Sequence, residues 1–131
     1  MKKTLSLLLI SSVILLSCKK DKQSTEEKLQ GKWTMKSIVE NHYYSGSSHI
    51  HTYPASPGDY LDFRSNNTVI ISLGGSVDTF TYGLPDDNHL WIDDPAELYE
   101  IKTLTKSQFV IANRDDDPNG DYYEVTINME K

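Results

Sequence analysis

The chain has 131 residues, 37% of them apolar and 24% charged, with 13 basic side chains against 19 acidic ones and a net charge of −6. That acidic balance argues against nucleic acid as a partner, because phosphate contacts need grouped lysines and arginines. The length suits one domain, and a single cysteine leaves it without an internal disulfide, so a hydrophobic core must hold it together.

The N-terminus reads as an address. Lys2 and Lys3 form a positive end, Leu5 to Leu16 is apolar apart from serines, and Ser17 and Cys18 follow at once. Twelve helical residues rise only about 18 Å, short of a hydrocarbon core of about 30 Å, so this is a signal segment and not a membrane span. The stretch Leu15-Leu16-Ser17-Cys18 resembles a bacterial lipobox. That resemblance implies cleavage before Cys18, lipid on its thiol and residence in the cell envelope, at an outer membrane, facing the periplasm or the surface. Residues 1–17 are then the signal peptide and 18–25 the lipidated cysteine and tether. Residues 26–131 form a single β-barrel domain. Without Lys2 and Lys3, 11 basic residues stand against 19 acidic ones, so the mature net charge is 11 − 19 = −8. In the tether, Lys19, Lys20 and Lys22 can each gain about 1 kcal/mol on anionic head groups or simply keep a spacer solvated.

Ser24-Thr25-Glu26-Glu27 has the form of a capping box, and Gly31 can end the turn, which predicts a helix of one or two turns. From Lys32 the period becomes two: Trp33, Met35, Ser37 and Val39 alternate with polar partners. Further strands are expected at Tyr60 to Arg64, Thr68 to Leu73, Val77 to Tyr82, His89 to Ile92, Leu98 to Leu104, Phe109 to Asn113 and Tyr122 to Met129. Asn66-Asn67 and Gly74-Gly75 tolerate positive φ, as tight hairpins require. The fold class is therefore all-β: a small eight-stranded antiparallel meander with one short N-terminal helix. Closure into a barrel covers every edge, with Trp33, Met35, Leu61, Phe63, Ile101, Phe109, Ile111, Val125 and Ile127 as inward candidates. A two-sheet sandwich has the same alternation.

The short capped helix leading into Leu29-Gln30-Gly31-Lys32-Trp33, followed by hairpins to the C-terminus, resembles the lipocalin-like domains of small bacterial lipoproteins. The resemblance implies a lipocalin-like β-barrel with Trp33 at its closed end, and carriage of a small apolar ligand. The chain departs from true lipocalins in having short strands and no arginine in the last strand to stack on that tryptophan. In anchor, length and all-β build it is also similar to potempin-type protease inhibitors, which implies a loop inserted into a secreted protease.

Large side chains predict a filled interior, which shifts binding to loops. Ser45 to Gly58 is expected as a fourteen-residue loop whose prolines favour extended backbone. His49, Ile50, His51, Tyr53 and Pro54 are its candidate contacts with a protein partner. The first functional expectation is thus a non-enzymatic membrane-anchored module that engages a protein, such as a secreted protease, through its loops. The alternative is a carrier of a small apolar ligand. No cofactor is called for.

Three other constellations invite chemistry. His49-x-His51 puts two imidazoles on one side of an extended segment, with His42 or Asp59 to complete a zinc set, but an unfixed loop would not hold the four ligands in place. Asp86-Asp87 and Asp93-Asp94 read as turn residues and not as acid and base partners, since strand neighbours face opposite ways. Asp115, Asp117, Asn119 and Gly120, with Asp121, match the opening of a calcium loop, yet Thr126 stands where its bidentate glutamate belongs. Asp117-Pro118-Asn119-Gly120 also fits a type I turn, and the expectation is that turn with at most a weak calcium site.

Overall fold

The computed structural model of the protein describes residues 23–131. The signal segment, Cys18 and all but the end of the tether lie outside the described residues. Among the described residues the one helix, α1 (Thr25–Leu29), carries the expected capping box: the Ser24 hydroxyl accepts from the Glu27 amide, and the Glu27 carboxylate accepts from the Ser24 amide. Gly31, at φ +102°, turns the chain from the helix into the first strand.

Nine antiparallel strands follow: β1 (Gly31–Tyr44), β2 (Ser47–Pro54), β3 (Tyr60–Phe63), β4 (Thr68–Leu73), β5 (Ser76–Asp86), β6 (His89–Ile92), β7 (Leu98–Leu104), β8 (Gln108–Asp116) and β9 (Tyr122–Glu130). Each of β3 to β9 pairs with the next, and β9 returns to β1 from Thr34↔Glu130 up to Tyr43↔Tyr122. The lower part of β1 pairs with β3 on its other edge, which closes a ring of eight strands. Barrel and not sandwich is therefore the architecture.

The ninth strand corrects the sequence reading. Ser45 to Gly58 is not a long loop: Ser45 and Gly46, at φ +52° and +79°, make a two-residue hairpin turn, and β2 then pairs with β1 from Tyr44↔Ser47 to Ser37↔Pro54. Strand formers Ile50, Thr52 and Tyr53 suit this ladder, and the prolines fall where they remove no needed donor, at the strand end and in the connection to β3.

The strand ends separate two rims. Helix α1 and the turns at 64–67, 87–88 and 105–107 lie at one end, while the turns at 45–46, 74–75, 93–97 and 117–121 lie at the other. The first end is plugged. Leu29, Trp33, Phe63, Phe109 and Met129 are at most 2% exposed there, and the Trp33 indole N–H donates to the Leu29 carbonyl at 2.8 Å. Tyr82 stands edge-on to Phe63 and bonds Gln30 and the Arg64 carbonyl. Of the inward candidates, Trp33, Met35, Leu61, Phe63, Phe109 and Ile111 are buried, Ile101 and Ile127 pack against this core from its margin, and Val125 is half-buried above it.

Candidate binding site at the open end of the barrel

The fully buried side chains lie toward the plugged end, and strand lengths differ around the ring. β3, β4 and β6 run four to six residues, whereas β1, β8 and β9 run nine to fourteen. The longer strands, with β2, continue past the core as a four-stranded wall over the mouth.

A bulge decides which side chains this wall shows to the mouth. Met35 faces Met129 and Ser37 faces Asn128, so Lys36 is the extra residue on β1. Beyond it the inward parity switches. Ile38, paired with Ile127 and packed on the core, points inward where alternation from Trp33 had predicted Ser37 and Val39. By the same alternation Glu40, His42 and Tyr44 follow Ile38 on the inner face, with Val125 and Tyr123 opposite them on β9, and Tyr53, His51, His49 and Ser47 opposite on β2.

That inner face is a dense imidazole and phenol surface. His42 lies against Tyr123 with centroids 4.4 Å apart, His49 stacks on Tyr44 at 4.4 Å, and His51 lies 6.5 Å from Tyr53. Partial burial, and then the neighbouring Glu40 carboxylate, push the Tyr123 phenol above its ordinary pKa. The outer face stiffens the wall. Tyr43 stacks on Tyr122 at 5.0 Å, the Arg114 guanidinium covers the other side of Tyr122 at 3.7 Å, and Arg114 is itself held by Asp116.

Across the mouth, Ile71 and Leu73 of β4, Phe80 of β5 and Ile92 of β6 line an apolar cleft of about 330 Å³, with Ser76, Asp78 and Asp93 beside them. Ile71, Phe80 and Ile92 pack on the core, so the cleft's floor is the top of that core.

The residues singled out by sequence fall in several places. His49, His51 and Tyr53 share the inner face of β2. Ile50, 61% exposed, points to the outer face, and Pro54 ends the ladder opposite Ser37. The five therefore do not form one contact surface. Asp59 joins no imidazole: it is buried, and its two oxygens accept from the amides of Ser56 at 3.1 Å and Gly74 at 2.9 Å. Asp117 to Gly120 form the expected turn, with the Gly120 amide on the Asp117 carbonyl at 3.0 Å. Asp121 accepts from Ser45 and from the Asn119 side chain, while Asp115 lies beside Asp117 and Asp121 on a shallow surface next to His42 and Tyr123. Asp86 and Asp94 cap their own turns through the amides of Asn88 and Ala96. Sequence reasoning missed Glu40, His42, Tyr44 and Tyr123 as one group, because the Lys36 bulge shifts Glu40-x-His42-x-Tyr44 out of phase with Trp33 and Met35.

No family model matches the chain, and no curated protein matches it. Among solved structures, a deswapped triple mutant of bovine odorant-binding protein is similar to it at 17% identity, with a TM-score of 0.42 over 79% of this chain and 74% of that one. The barrel assignment rests on the hydrogen-bonded ring itself: eight antiparallel strands in up-and-down order, with β1 pairing both β3 and β9.

Proposed function

We propose that the domain is a non-enzymatic binding module that takes a small apolar ligand at the open end of its barrel. The observation that carries this reading is an open apolar cleft of about 330 Å³ at the mouth, on top of the core and lined by Ile71, Leu73, Phe80 and Ile92. That size lies at the lower bound of small-molecule sites, about 300 Å³, and the few polar groups beside it can orient a ligand. Titration with the apolar fluorophore 1-aminoanthracene tests it. Leu73→Glu, at a side chain already 47% exposed, should weaken probe binding at least tenfold while the melting temperature stays within a degree or two. Equal affinity in the folded variant would remove the cleft from the reading.

A protein partner, such as a secreted protease, is the second reading. It is favoured by β2, an edge strand with all eight residues exposed, and by Tyr44, Tyr53 and Tyr123 standing 50%, 49% and 37% exposed on one face. Such an edge can accept an added strand, and tyrosine supplies contact area at low entropic cost. We further propose that lipid on Cys18 holds the protein on a bacterial outer membrane. Along the chain, Cys18 precedes α1, which lies at the plugged end and not at the mouth.

A further inference from the structure

We propose that His42, His49 and His51 form a binding site for a divalent transition-metal ion, zinc(II) foremost, on the inner face of the β1–β2 hairpin. The ladder places His42 opposite His49 and Glu40 opposite His51. These four side chains occupy the corners of one block on a single sheet face. Directly opposed residues have Cβ atoms about 4.5–5.5 Å apart, and residues two apart on one strand about 6.7 Å. From three such corners imidazole rings can reach one ion at about 2.0–2.1 Å, and three histidines leave the fourth position to Glu40, water or a ligand. Imidazole nitrogens select zinc, copper or nickel over calcium and magnesium.

The sequence objection to this site was an unfixed loop. Eight facing pairs along β1 and β2 and a two-residue turn remove it, and the stacked pair Tyr43 and Tyr122 braces the reverse side. The rings themselves stand apart: His42 lies on Tyr123, His49 on Tyr44, and among the described residues no three imidazole or carboxylate groups already surround a common point. Gathering them needs only side-chain rotation, which exposed residues undergo within nanoseconds. His42 is 48% exposed, and His49 and His51 are exposed along the strand.

Calorimetric titration of the purified protein with zinc chloride tests the assignment, with cobalt(II) as a spectroscopic substitute. One zinc per chain is expected, together with the visible absorption bands of a four-coordinate cobalt site. His42→Ala, His49→Ala and His51→Ala should each lower the affinity at least tenfold and abolish those bands, with far-UV circular dichroism unchanged. Asp115→Asn with Asp117→Asn should leave both intact. Absence of saturable binding overturns the proposal. So does zinc affinity that survives the histidine substitutions or is lost in the double aspartate variant, which would put the ion in the acidic turn.

Discussion

The Lys131 ammonium lies 4.3 Å above the Trp33 ring and donates to the carbonyl oxygens of Lys28 and Gln30. The residue after the last strand thus closes the plugged end over the tryptophan and ties the chain terminus to the end of α1. This is the place where the sequence lacked an arginine in the last strand. Partial burial lowers the Lys131 pKa, while the residue as a whole stays exposed, which places the contact among surface cation–ring pairs. Lys131→Ala should cost about 1 kcal/mol, read as a fall of a few degrees in melting temperature, while Lys131→Arg keeps most of it. An alanine variant as stable as the parent would show the contact to be idle.

Gly83 faces Trp91 across β5 and β6, and a Cβ built on Gly83 would meet the indole ring at 2.5 Å. The indole therefore lies flat on the glycine backbone. Gly83→Ala should destabilise the domain by about 1–3 kcal/mol, because the indole packed on that backbone must be displaced. Adding Trp91→Ala should recover part of the loss, so that chemical denaturation of the double variant shows less than the sum of the single effects.

The β5–β6 turn gives a pH dependence. The Asp86 carboxyl is held below its ordinary pKa, first by the Asn88 amide and then by His89 at 2.9 Å. A carboxylate with a depressed folded pKa stabilises the fold above its unfolded pKa, and that contribution fades as pH falls through the lower folded value. Urea midpoints of the parent and of Asp86→Ala should therefore differ at pH 7 and converge below about pH 4. A gap that stays constant down to pH 2.5 would mean the charge is not what holds the turn.

The anchor proposal is separable from all of these. Cys18→Ala removes the thiol that would carry lipid, and the protein should then be recovered uncleaved or in soluble fractions. Membrane fractionation to the same extent as the parent would end the lipoprotein reading.

Much of the ring was legible because its signals are local. The alternation around Phe63, Phe109 and Ile127 fixes which face is inside, and Gly74-Gly75, at φ +57° and +86°, announces a hairpin. The wall was not legible because its signals are relational. Pro54 and Pro57 made β2 look like a loop, since proline near a strand is informative only once the free edge is known. The Lys36 bulge leaves no mark in composition, yet it alone decides that Glu40, His42 and Tyr44 face inward. Pairing of His42 with His49 depends on a two-residue turn at Ser45-Gly46, and serine at positive φ is not a residue that sequence rules favour there.

Asp59 ties together two segments at the mouth of the barrel. It is 8% exposed, and its carboxylate accepts the Ser56 amide in the β2–β3 connection and the Gly74 amide in the β4–β5 turn, fifteen residues away. Two segments that share no ladder are therefore held by one side chain. Hydrogen bonds to a charged group contribute about 1.5–3 kcal/mol each, and removing the acceptor leaves two partly buried amides without a partner. Asp59→Ala should lower stability by about 2–4 kcal/mol, whereas Asp59→Asn, which keeps one carbonyl oxygen, should lose about half of that. The same substitution reaches the cleft, because Leu73 and Ser76 flank the Gly74-Gly75 turn that Asp59 holds in place. Probe affinity should fall in Asp59→Ala even under conditions where the variant is fully folded. Zinc affinity should not, since Asp59 donates nothing to the β1–β2 hairpin's histidines. Loss of both together would mean that the wall and the cleft move as one unit, and loss of neither would mean that the turn keeps its place without the carboxylate.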